Sequence, residues 1–130
     1  MNASVTINSQ GGLTAYPCSG VCLYSQPIVL IHGWGIDSQI WQSLPEQLSD
    51  FADVLTLDLP GFGQSPTLNN YSQAAVIDWL ADILPERSYL LGLSLGGMLS
   101  CAFAAEYPAR VEGLITISSN LNFVASSSFS

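Results

Sequence analysis

Lysine is missing from this 130-residue chain, and Arg87 and Arg110 are its only strongly basic side chains. Set against ten Asp and Glu residues, they leave a formal net charge of −8. That balance excludes binding to phosphate backbones, which depends on clustered Lys and Arg, and docking on anionic membranes. Charge of either sign is scarce at 9% of residues, while 48% are hydrophobic. A disordered chain is excluded by that ratio, and there is enough apolar side chain for a real core.

Long apolar runs are absent as well. None approaches the ~18 residues of a membrane-spanning helix. The opening Met1-Asn2-Ala3-Ser4-Val5-Thr6 lacks the basic start and apolar centre of a signal peptide, so the expected location is cytoplasmic. Cysteine is limited to Cys18, Cys22 and Cys101. Cys18 and Cys22 have no second Cys or His pair to complete four ligands, so no metal is expected. Three reduced, packing thiols suit a reducing compartment better than a disulfide framework does.

The elements alternate once the chain is read for period. Residues 4 to 26, β-branched and polar with turn signals at Gly11-Gly12 and Ser19-Gly20, predict one or two strands in a hairpin. Pro27-Ile28-Val29-Leu30-Ile31 is a continuous apolar run, as expected of a strand covered on both faces, and it stops at His32-Gly33-Trp34-Gly35. Trp41, Leu44 and Leu48 recur at helical spacing, with Pro45 tolerable only in a first turn. Asp53 to Leu57 reads as a second buried strand, closed by Asp58-Leu59-Pro60-Gly61-Phe62-Gly63-Gln64-Ser65-Pro66. An amphipathic helix follows, with Ala74, Ile77, Leu80, Ala81 and Leu84 on one face and Pro85 at its end. Ser88 to Leu91 is a strand, Met98 to Ala105 a helix stopped at Tyr107-Pro108, and Gly113 to Ile117 a last apolar strand. Strand and helix in turn from 27 to 117 predict a mostly parallel α/β sheet with helices on both faces. The Ser126-Ser127-Ser128-Phe129-Ser130 tail is polar and expected to be loose.

Chemistry concentrates at Gly92-Leu93-Ser94-Leu95-Gly96-Gly97, between the strand and the helix. Gly-x-Ser-x-Gly in that context is a nucleophile elbow: the serine takes a strained backbone conformation, and glycines spare the tight turn from clashes. Attack by Ser94 on a carbonyl builds negative charge on oxygen, so N–H donors must already be aimed there. Leu95 N–H, at the positive end of the following helix, is one candidate. Trp34 N–H, in the glycine-rich loop after an earlier strand, is the other. His32 is read as ordering its turn by hydrogen bonds rather than as the base. Asp58 is read as capping the Leu59-Pro60-Gly61 turn, and the remaining aromatics as core or pocket lining.

Those three motifs, in that order and spacing, resemble the α/β-hydrolase superfamily, over about residues 27 to 125. Trp34 in its loop, Leu95 after the serine, and Tyr107-Pro108-Ala109-Arg110-Val111 make the resemblance run to the pimeloyl-[acyl-carrier protein] methyl ester esterases of biotin synthesis. The resemblance implies a cytoplasmic serine carboxylesterase, monomeric at full length and without cofactor or metal. Its substrate would be an acyl methyl ester carried on acyl-carrier protein. Ser94 would be nucleophile, with Trp34 and Leu95 holding the oxyanion and contacting substrate. Other readings are a lipase, thioesterase or C–C hydrolase of the same fold, or a non-catalytic acyl-binding module.

One departure is large. In that family the chain order is Ser, then Asp or Glu, then His, with a lid between, yet no histidine follows Ser94. A whole domain of this type runs to roughly 250 residues. The expectation is therefore that residues 1–130 are the N-terminal portion of a single α/β-hydrolase domain, without its lid and C-terminal strands. Leu114 to Ile117 would then form an exposed apolar edge prone to self-pairing.

Overall fold

The structure, a computed structural model, describes residues 5–6, 12–63, 65, 67–69 and 71–118. Six strands are present among them: β1 (Val5–Thr6), β2 (Leu13–Tyr16), β3 (Ile28–Ile31), β4 (Val54–Leu57), β5 (Ser88–Leu93) and β6 (Val111–Ile117). Three α-helices join them: α1 (Leu44–Leu48), α2 (Gln73–Ile83) and α3 (Leu95–Glu106). All the strands belong to one sheet in the order β1-β2-β4-β3-β5-β6. The β1–β2 and β2–β4 pairs are antiparallel, and β4–β3, β3–β5 and β5–β6 are parallel. Both the expected hairpin and the mostly parallel sheet are therefore found.

Period-two alternation divides the strands between two cores. Val29 and Ile31 of β3, Leu55 and Leu57 of β4 and Leu90 of β5 pack with Val76, Ile77 and Leu80 of α2 and Leu95, Met98, Leu99 and Phe103 of α3. Leu30 and Val54 pack on the other face with Trp41, flanked by Ile28, Leu91, Leu93 and the α1 residues Leu44 and Leu48. A strand covered on both faces has no polar side to show, which explains its continuous apolar run.

Chain order also locates the reactive edge. From β3 the chain moves to β4 on one side, then crosses to β5 on the other side of β3. The segment after β3 leads to α1 on one face, while that after β5 leads to α3 on the opposite face. Such a reversal opens a crevice at the carboxyl ends of the strands. The His32–Gly35 loop and Ser94 both sit there.

Several expectations need correction. Trp41 and Leu48 do not share one helix: Ser38–Trp41 is a 3-10 turn, and α1 begins after Gln42, whose φ is +52°. Pro45 falls in the first turn of α1, where its missing N–H costs nothing. On α2 the buried residues are Val76, Ile77 and Leu80, with Leu84 just beyond, while Ala74 faces solvent. The buried face of α2 is thus rotated toward Val76 and away from Ala74. Ser72 caps α2 by accepting the Ala75 N–H at 3.1 Å, and the helix stops before Pro85 as expected.

The cysteines are also corrected: Cys18 and Cys22 are joined in a disulfide, and Cys101 alone is a free thiol. The two approach because their loop folds back on the α1 end, where Ser19 N–H donates to the Ser49 carbonyl and Leu23 N–H to that of Phe51. Cys18 N–H itself is held by Asp53 Oδ1 at 2.8 Å. Gly11 of the first turn and the serine-rich tail lie outside the described residues.

Candidate active site

The glycines of the elbow are explained by what they touch. A side chain on Gly96 would run into the main-chain carbonyls of Ile31 and His32, and one on Gly92 into the Gly96 carbonyl. Helix α3 can therefore enter close against β3 only if both positions are bare. Ser94 sits at the turn with φ +54° and ψ −115°, a strained conformation for a non-glycine residue. Its N–H donates to the Ile117 carbonyl at 2.8 Å, which ties the elbow to the end of β6. The side chain is on the surface, at the N-terminus of the twelve-residue α3.

Both candidate donors are at this point of the fold. Leu95 is the first residue of α3, so its N–H has no intrahelical carbonyl within reach and stands at the positive helix end. Its side chain, in contrast, is buried in the larger core. Leu95 thus turns main chain rather than side chain toward the crevice. The other loop meets the elbow at Gly33: a Cβ there would lie 3.3 Å from Ser94 Cβ and 3.1 Å from the Leu93 carbonyl oxygen. Trp34 follows directly, with its side chain 67% exposed and its ring edge-to-face on Phe62 at 5.3 Å.

His32 is not aimed at the nucleophile. It is fully buried, Nδ1 lies 2.7 Å from the Gly33 carbonyl oxygen, and Nε2 accepts the Leu59 N–H at 2.8 Å. Burial lowers its pKa below the ordinary 6.5, with the Gly33 hydrogen bond and the Asp58 and Asp37 charges opposing. The turn-ordering reading of His32 matches this arrangement.

Asp58 stands at the turn it is expected to cap, with its carboxylate where a Cβ on Gly63 would collide with it. Its carboxylate accepts the Ser38 N–H at 2.8 Å, tethering the 3-10 turn, while its main-chain N–H donates to Gly12 and its carbonyl accepts from the Ser65 hydroxyl. Phe62 N–H on the Leu59 carbonyl also closes this turn, and His32 holds the Leu59 N–H. Phe62 touches both His32 and Trp34 with its ring. No residue pattern marks it; its position between Gly61 and Gly63 is the only signal.

Neither arginine faces the crevice. Arg87 pairs with Glu112. Arg110 donates to the carbonyls of Ala81, Leu84 and Pro85 at 3.0–3.1 Å and packs over Phe103 and Tyr107, locking the end of α2 to α3.

Comparison with known proteins gives a consistent picture. Residues 26–129 match the alpha/beta hydrolase fold family. The biotin biosynthesis bifunctional protein BioHC of Cellvibrio japonicus is 45% identical over 102 residues, covering 78% of this chain and 20% of that protein. The pimeloyl-[acyl-carrier protein] methyl ester esterase of Legionella pneumophila is 41% identical over 105 residues, covering 76% of this chain. The chain spans about 40% of that esterase's length. Among solved structures, MenH from S. aureus superposes with a TM-score of 0.75 at 24% identity, over 85% of this chain and 43% of its own. Naproxen esterase from Bacillus subtilis does so with a TM-score of 0.70 at 25% identity, over 88% and 42%. The strand order, the elbow at Ser94 and the match over residues 26–129 together show that the chain belongs to the alpha/beta hydrolase fold family.

Proposed function

We propose that the chain carries the nucleophile and oxyanion-binding half of a serine carboxylesterase acting on an acyl methyl ester, pimeloyl-[acyl-carrier protein] methyl ester in biotin synthesis. The observation that carries this is the approach of Gly33 to Ser94, which brings the Trp34 loop and the α3 N-terminus to one point. The names of the relatives supply the substrate class. Ser94 Oγ attacks the ester carbonyl, the oxygen gathers charge between the Trp34 and Leu95 N–H groups, and methanol leaves from the tetrahedral intermediate. The acyl-enzyme is then hydrolysed by water.

A base must take the Ser94 proton, and His32 is committed elsewhere through both nitrogens. We read residues 1–130 as the N-terminal part of one domain whose acid and histidine follow in the remaining length that its relatives have. The reading places the protein in the cytoplasm and without nucleic-acid partners. Among the described residues no helix is long and apolar enough to cross a membrane. In a reducing compartment the Cys18–Cys22 pair would be kept as thiols, leaving the loop on the hydrogen bonds donated by its Cys18, Ser19 and Leu23 N–H groups.

A chimera tests the proposal. Residues 26–118 replace the matching segment of the Legionella esterase, folding is checked by circular dichroism, and methyl-ester hydrolysis is measured. The expected result is turnover that falls at least about a thousandfold with Ser94→Ala. A folded chimera whose turnover survives that substitution contradicts the assignment of Ser94.

A further inference from the structure

His32 grips one particular peptide unit, and that unit carries a candidate donor. The Gly33 carbonyl can only accept, so the 2.7 Å contact requires the proton on Nδ1. Leu59 N–H can only donate, so Nε2 is bare. The imidazole is thereby neutral and held in one tautomer, with the Phe62 ring edge-to-face against it at 5.6 Å.

The Gly33 carbonyl and the Trp34 N–H belong to the same planar peptide, and none among the described residues is cis. In a trans peptide these two groups point in opposite directions. Drawing the carbonyl toward the imidazole therefore turns the Trp34 N–H away from it. Gly33 is also the residue of this loop that abuts Ser94. We propose that His32 is a positioning residue: through Nδ1–H it fixes the Gly33–Trp34 peptide plane, and so aims the Trp34 amide at the carbonyl oxygen of an ester held over Ser94. Leu59 N–H steadies the ring from its far side. The inference rests on the esterase reading for its catalytic consequence, but its geometric part stands on the loop alone.

Two amide substitutions separate aiming from simple packing. In His32→Asn the shorter amide keeps a donor near the Nδ1 position and loses the acceptor for Leu59. In His32→Gln the longer amide puts an acceptor near the Nε2 position and leaves the Gly33 carbonyl without its donor. On the 130-residue chain, nitrogen-15 spectra of the lone imidazole are expected to show a protonated Nδ1 and a bare Nε2. The Trp34 amide resonance should stay in place in His32→Asn and shift or broaden in His32→Gln. In the chimera, His32→Gln should lower kcat roughly a hundredfold with KM little changed, as for loss of one oxyanion donor, while His32→Asn retains most of the rate.

An imidazole protonated on Nε2 in the unsubstituted chain overturns the inference even if a variant fails to fold, and so does a Trp34 resonance that moves equally in two folded variants. So does a kcat that is unchanged by His32→Gln. A chimera with no Ser94-dependent turnover, alongside the expected spectra, overturns the esterase reading and leaves the aiming of the amide standing.

Discussion

The two faces of the sheet are finished to different degrees. On the α2–α3 face fifteen buried hydrophobic residues form one cluster, whereas on the α1 face three do so among the described residues. The α1 face keeps a cavity of about 400 Å³ bordered by Tyr24, Phe51, Tyr89 and Ile115, and it runs out to β6, where Ile115 and Ile117 are exposed. β6 pairs only with β5, so its outer edge is open among the described residues. The proposed nucleophile, Ser94, belongs to the more fully packed side. Ser94 opens α3, whose side chains enter the large core, and its N–H donates to the end of β6. The turn at Ser94 thus rests on the more densely packed core.

Breaking the finished side should have the largest effect. Gly96→Ala places a methyl group against two main-chain carbonyls that cannot move aside. The expected outcome is loss of the cooperative near-ultraviolet transition, since β3 and α3 would have to separate. Leu90→Ala, a cavity in the same core, should cost about 2–5 kcal/mol in denaturant unfolding. Ile115→Lys, on the 63% exposed position of β6, should cost less than ~0.5 kcal/mol. It should also reduce self-association in sedimentation velocity, because a lysine on an open strand edge discourages pairing. Equal costs for Leu90→Ala and Ile115→Lys would remove the contrast between the faces.

A smaller effect comes from His32. Its folded pKa is depressed by burial, so the unfolded chain binds the extra proton first. Stability from this group is complete above the ordinary value of 6.5 and is lost as pH falls from there to the folded pKa, by at most about 1.4 kcal/mol per unit. Thermal melts between about pH 7.5 and 5 should show that slope, and His32→Asn should flatten it. An unchanged slope in the variant would assign it to the carboxylates.

Much of the fold and of the candidate site is legible in the sequence, for definite reasons. Continuous apolar runs such as Ile28 to Ile31 report burial on both faces, and Gly-x-Ser-x-Gly reports an elbow because only bare positions fit against Ile31 and Gly96. Less visible are features decided by distant partners. Asp58 looks like a turn cap locally, and nothing local shows that its carboxylate also holds the Ser38 N–H, twenty residues earlier. The buried stripe of α2 is centred on Val76, Ile77 and Leu80 rather than on Ala74, a rotation of the face that only its packing against the sheet decides. Phe62 carries no pattern at all, since an edge-to-face contact with His32 and Trp34 leaves no periodic trace.

On the proposed reading Ser94 is the nucleophile, and His32, whose two ring nitrogens engage Gly33 and Leu59, is not its base. The most direct measurement is hydrolysis of p-nitrophenyl butyrate by the 130-residue chain beside its Ser94→Ala variant. The same weak rate is expected for both, no more than the residual catalysis left when a triad is broken. Robust turnover abolished by Ser94→Ala would contradict the claim, because a base would then have to lie within these 130 residues.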